Sequence, residues 1–116
     1  MRKKDLRTVD YVEHMLEAIR RIFEYTATLS WAQFEATSIV IDAVVRNFEV
    51  IGEAARNVML EDPEFVAAHP EIPWQTVYGT RNRISHGYYA INTEVIWQTI
   101  QHDLHELQSA LLQLKP

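Results

Sequence analysis

Thr37-Ser38-Ile39-Val40-Ile41-Asp42-Ala43-Val44-Val45-Arg46-Asn47-Phe48-Glu49-Val50-Ile51-Gly52-Glu53-Ala54-Ala55-Arg56-Asn57-Val58-Met59-Leu60 is the most apolar run in the chain. Ile39, Val40, Ile41, Val44, Val45, Phe48, Ile51, Ala55 and Val58 supply its apolar positions, which predicts a central helix from about Thr37 to Leu60. Gly52 inside that helix costs about 1 kcal/mol relative to alanine, so it predicts the close approach of another helix. Glu53, beside it, reads from the residues alone as a surface carboxylate paired with Arg56 or Arg46.

Working outward, Val12, Met15, Leu16, Ile19, Ile22 and Phe23 recur at steps of three and four, with charged residues between them. This predicts an amphipathic helix from about Thr8 to Thr28, with His14 on its polar side. Ser30-Trp31-Ala32-Gln33 has the form of a capping box and predicts a short helical turn anchored by Trp31 and Phe34. Beyond the central helix, Glu61-Asp62-Pro63 stops the chain, and Pro63, Pro70 and Pro73 punctuate a connection with a helical piece around Phe65 to Ala68. His69, just before Pro70, reads as a linker residue.

Pro73 suits the first position of a further helix, whose buried face is read as Trp74, Val77, Tyr78 and Ile84 and whose end is expected near Gly87. Asn92 then caps a last helix of about Thr93 to Leu114, with Ile96, Trp97, Ile100, Leu104, Leu107, Leu111 and Leu114 as its apolar stripe. Strand-like alternation, internal repeats and low-complexity tracts are absent. The expected fold is all-α: one domain over residues 1–116, an antiparallel bundle of four main helices plus short helical pieces.

The 116 residues suffice for a modest core, and 47% of them are apolar. With no cysteine, disulfides, thiolate catalysis and Cys-ligated metal centres are excluded. The opening Met1-Arg2-Lys3-Lys4 is followed by Asp5, Arg7 and Asp10 where a signal peptide needs an apolar run, and no stretch has the length of a membrane span. A soluble, unexported, cytoplasmic protein is expected. The formal net charge of −5 disfavours broad electrostatic binding of nucleic acid, so any RNA site must be a local cationic patch.

The chemically richest stretch is Gly79-Thr80-Arg81-Asn82-Arg83-Ile84-Ser85-His86-Gly87-Tyr88-Tyr89. Arg81 is a permanent planar cation able to grip two phosphate oxygens at once. His86 exchanges a proton near neutral pH. Together they suit phosphodiester cleavage in RNA, where a 2′-hydroxyl loses a proton, the phosphate gains charge and the leaving oxygen takes a proton. One histidine covers one transfer, and a second copy of the chain across a two-fold axis is the economical source of the other. On an ideal helix Arg81 and His86 lie about 140° apart, which a composite dimer site accommodates. Arg83 adds a second cation for RNA. The same R-x4-H spacing also arises by chance, with a locally bonded histidine and a surface arginine. His102 and His105, three apart, lack a third nearby ligand, and no metal or other cofactor is expected.

Arg81-Asn82-x-x-x-His86-Gly87-Tyr88, preceded by Ile72-Pro73-Trp74 and Gly79, with Ile51-Gly52-Glu53-Ala54-Ala55 upstream and Val95-Ile96-Trp97 downstream, resembles the HepT family of the HEPN superfamily. The resemblance covers nearly the whole chain; Thr80 departs from it, since methionine is common there in relatives. It implies a toxin that is a metal-independent endoribonuclease, with transfer RNA a candidate substrate. Arg81 and His86 would be catalytic, Asn82 would orient the arginine or the phosphate, and Glu53 would have a second reading as a polar group on the active face. It also implies a homodimer and a partner, a small nucleotidyltransferase antitoxin that adds AMP to the tyrosine of H-x-Y, here Tyr88. The alternative is a dimeric helical partner of the transferase that cleaves nothing.

Overall fold

The computed structural model describes residues 3–84 and 91–114, and these form seven helices with no strand among the described residues. They are α1 (Lys3–Thr26), α2 (Trp31–Ala36), α3 (Ser38–Glu61), α4 (Pro63–Ala68), α5 (Trp74–Ile84), α6 (Thr93–Gln101) and α7 (Asp103–Leu114). The all-α, HEPN-like bundle expected from the sequence is what forms.

The two 24-residue helices α1 and α3 are the frame. They run antiparallel, because the start of α1 meets the end of α3: the Thr8 hydroxyl donates to Asp62 at 2.7 Å and the Tyr11 hydroxyl to Glu61 at 2.6 Å. Met15, Ile19 and Ile22 of α1 and Val44, Phe48, Ile51, Ala55 and Val58 of α3 are buried between them, as the step of three and four requires. Burying such side chains is worth roughly 1.5–3 kcal/mol each, which is what holds the hairpin. Ile39 departs from expectation. It is 77% exposed, because three consecutive apolar residues cannot all face inward on a helix and Ile41 takes the core position.

Each short piece has a visible local cause. At α2 the capping box is complete: Ser30 Oγ accepts from the Gln33 amide at 3.2 Å and Gln33 Oε1 from the Ser30 amide at 2.9 Å. Phe34 is fully buried, whereas Trp31 is half-buried against Trp97. At α4, Asp62 caps the helix by accepting from the Phe65 amide, with Pro63 behind it. The linker is pinned by Trp74, whose indole N–H donates to the His69 carbonyl at 3.1 Å and whose ring meets Phe65 edge-on.

The expected last helix is two. The chain leaves helical geometry at His102 (φ −124°, ψ −77°), and Asp103 opens α7. The Thr99 hydroxyl donates to the Val95 carbonyl at 2.8 Å within α6, a bond that bends helices. The apolar stripe survives the break, since Ile96, Ile100, Leu104, Leu107 and Leu111 are all buried. Asn92 caps α6 as expected, its side chain accepting from the Val95 amide at 3.1 Å. No described helix is long and apolar enough to cross a membrane.

Candidate functional site

The site is carried by α5, and α5 is placed by Gly52. A β-carbon on Gly52 would stand 3.5 Å from the Tyr78 carbonyl oxygen and 3.7 Å from that of Val77, so the backbones of α3 and α5 pass close by. This is the close approach that the glycine predicts. The chain turns back through α4 before α5 begins beside Phe65, so α5 runs against α3. Arg81, three to four residues past the contact, then stands level with Phe48 and Glu49 of α3.

The faces of α5 follow from its contacts. Trp74, Val77, Thr80 and Ile84 are buried. Tyr78 is not part of that face: it is 41% exposed, and Thr80 takes the inner position, its hydroxyl donating to the Thr76 carbonyl at 3.0 Å. Thr76, Thr80 and Arg83 line a cleft of about 340 Å³ whose far walls include Phe48 and Ile51 of α3 and Asp103, Glu106 and Leu107 of α7. Arg81 is about 160° from Arg83 round the helix and shares a flank with Tyr78. The two arginines therefore serve different surfaces. Arg83 faces the cleft and its acidic rim, to which Glu71 adds a carboxyl held below its ordinary range by its own backbone amide and by His69 Nδ1 at 3.1 Å.

Arg81, Asn82 and Arg83 are all exposed in the last turn of α5, where a cation also complements the helix dipole. His86 and Tyr88 lie outside the described residues. The segments flanking them are tied together, because the Asn92 amide donates to the Ile84 carbonyl at 2.6 Å. Glu53 is exposed and pairs with Arg56 at 3.4 Å, the plainer of its two readings.

The outward side of α3 carries an ordered stripe that belongs to no motif. Ile39, Asp42, Arg46, Glu49, Glu53, Arg56 and Leu60 are exposed one after another, at alternating steps of three and four. The signal was present in the sequence as a second, outward stripe. Among the described residues no group of three or more His, Asp or Glu side chains is placed to hold a metal ion. His105 stacks on Phe23 with ring centroids 4.4 Å apart, and His102 ends α6.

The family described as Ribonuclease HepT-like matches residues 15–114. The chain belongs to the HepT-like ribonucleases. It is 33% identical over 106 residues to "Probable ribonuclease HepT" of Thermococcus cleftensis, covering 91% of this chain and 94% of that one. It is 31% identical over 104 residues to "Putative RNase TTE0752" of Caldanaerobacter subterraneus subsp. tengcongensis, covering 90% of each. A third relative, "Putative RNase MJ0127" of Methanocaldococcus jannaschii, is 30% identical over 115 residues, 96% of this chain and 91% of its own. No solved structure matches the chain. As a HepT-like ribonuclease of the HEPN superfamily, the protein is an endoribonuclease.

Proposed function

We propose that this HepT-like ribonuclease is the toxin of a type II toxin–antitoxin pair and cuts RNA without a metal, at a composite site on the two-fold axis of a homodimer. Arg81 stabilises the charge that develops on the phosphate, and Asn82 orients it. His86 of one subunit takes the 2′-hydroxyl proton. The 2′-oxygen attacks phosphorus, and the 5′-oxygen leaves with a proton from the histidine of the other subunit. The products are a 2′,3′-cyclic phosphate and a 5′-hydroxyl end. Transfer RNA, with its exposed single-stranded loops, is the candidate substrate class.

What supports this reading is Arg81, exposed in the last turn of α5, the helix that Gly52 seats against α3, and about 160° round that helix from the cleft-lining Arg83. The net charge of −5 disfavours broad electrostatic binding of nucleic acid, so this reading requires a local cationic patch, for which Arg81 and Arg83 are the candidates. Neutralisation follows the same electrostatics. A nucleotidyltransferase antitoxin joins the Tyr88 oxygen to the α-phosphorus of ATP and releases pyrophosphate, and each AMP brings a bulky anion beside Arg81 and His86 that repels substrate phosphate.

The test is total cellular RNA incubated with purified protein in EDTA, with the new ends characterised and Tyr88 checked by mass. Cyclic phosphate ends from wild type and none from His86→Ala are expected. Intact RNA with unmodified wild type overturns the catalytic reading in favour of a helical partner that only binds the transferase.

A further inference from the structure

α5 packs on α3 while α7 packs on α1, and between α5 and α7 lies the cleft of about 340 Å³. Its floor is apolar. Phe48 and Ile51 of α3, Val77 of α5 and Leu104 and Leu107 of α7 line it, none of them more than 9% exposed. Thr80 and Thr99 line it too, and both are buried. Their hydroxyls already donate to the carbonyls of Thr76 and Val95, at 3.0 and 2.8 Å, so the interior offers an occupant apolar surface and no unused donor from either threonine. A volume just above 300 Å³ falls in the range of small-molecule sites.

The mouth has the opposite character. Glu71 from the linker before α5, with Asp103 and Glu106 from the first turn of α7, sets three carboxyls around it, against the one guanidinium of Arg83. Glu71 contacts His69, whereas Asp103, Glu106 and Arg83 form no ion pair with any described residue. On α1, by contrast, Arg20 engages both Glu17 and Glu24. The positive end of α7 accounts for two acidic residues in its first turn. It does not account for the third, which reaches the same opening from another segment.

We infer that this cleft binds a small amphipathic organic cation, with an aromatic or branched body against Phe48, Ile51 and Leu107 and an amine at the carboxylates of Asp103 and Glu106. Charge complementarity selects that occupant. A neutral molecule leaves the acidic mouth without a counter-charge, and an anion meets one guanidinium and three carboxylates. A linear polyamine matches the mouth but not the floor. The site is independent of the nuclease reading, because Arg81 lies about 160° round α5 from Arg83.

The full-length chain is titrated at low ionic strength with four probes, and backbone amide shifts are followed by NMR. Tryptamine is the amphipathic cation. Tryptophol carries the same ring with a neutral hydroxyl, indole-3-acetate the same ring with a carboxylate, and spermidine positive charge with no ring. Tryptamine should saturate with a Kd on the order of 100 μM, with shifts gathered on residues 77–83 and 103–110. Tryptophol and spermidine should each bind at least about fivefold more weakly, and indole-3-acetate at least about tenfold, differences that shrink in salt. Asp103→Asn with Glu106→Gln, both exposed, should weaken tryptamine roughly fivefold and leave tryptophol unchanged. Ala110→Trp, on the half-buried wall of the cleft, should fill the space and abolish binding of both, with circular dichroism reporting the fold. Tryptophol binding as tightly as tryptamine overturns the cation, and spermidine binding as tightly overturns the apolar seat. Saturation by none of the four, or shifts remote from the cleft, overturns the site.

Discussion

Gly52 of α3 faces the carbonyl oxygen of Tyr78 on α5, which would lie 3.5 Å from a β-carbon at that glycine. That distance is an ordinary contact, so alanine fits. Gly52→Ala should therefore hold or raise stability, by up to about 1 kcal/mol, through the helix propensity it gains. Gly52→Val adds two methyls to a β-carbon already in contact with the α5 backbone. It should cost about 1–3 kcal/mol and lower RNA cleavage by moving α5, while Gly52→Ala leaves cleavage near wild type. Thermal melts and cleavage rates of the two variants check this.

Thr8 and Asp62 close the open end of the α1–α3 hairpin. Both are 4% exposed, and the Asp62 carboxylate takes the Thr8 hydroxyl at 2.7 Å while capping α4. Thr8→Val keeps the shape and removes a donor from a buried carboxylate, at an expected cost of about 1–3 kcal/mol. Thr37→Val, which removes a hydroxyl bonded to the Gln33 carbonyl at an exposed position, should cost no more than about 0.5 kcal/mol. Urea unfolding of the two variants gives the comparison.

Glu17 on α1 is held down to about 2 by hydrogen bonds from Arg20 and then Arg21. A carboxylate whose folded pKa is lowered stabilises the fold at pH values above its unfolded pKa. The contribution is then lost as pH falls from the ordinary carboxylate range toward about 2. Because the group is exposed the effect is small and screened by salt. Melting temperatures from pH 6 to pH 2 should fall less steeply in Glu17→Gln than in wild type, and the difference should shrink in high salt.

Much of this fold is legible in local chemistry. The periodicity of α1 and α3, the Ser30 box, the Asn92 cap and the glycine at the helix crossing all follow from interactions within a few residues or from a cost that needs a reason. What escapes is set by neighbours distant in sequence. Nothing near Asp62 announces Thr8, and nothing in Ile39-Val40-Ile41 says which residue faces out until α1 is in place. His102 interrupts a stripe whose apolar spacing continues undisturbed on both sides. Tyr78 and Thr80 exchange roles because the apolar ring has room outside while the threonine hydroxyl is satisfied by its own helix. For the site, helix geometry already sets Arg81 and Arg83 on different sides of α5, and the placement of α7 shows that it is Arg83 that faces a cleft.

That separation gives the most direct measurement of the account: the rate of RNA cleavage in EDTA by Arg81→Ala and Arg83→Ala beside wild type. Arg81→Ala should lose at least a hundredfold, while Arg83→Ala, in the α5–α7 cleft, should stay within a few-fold. Equal losses in the two variants, or full activity in Arg81→Ala, would contradict the placement of the catalytic surface on the Arg81 side of α5.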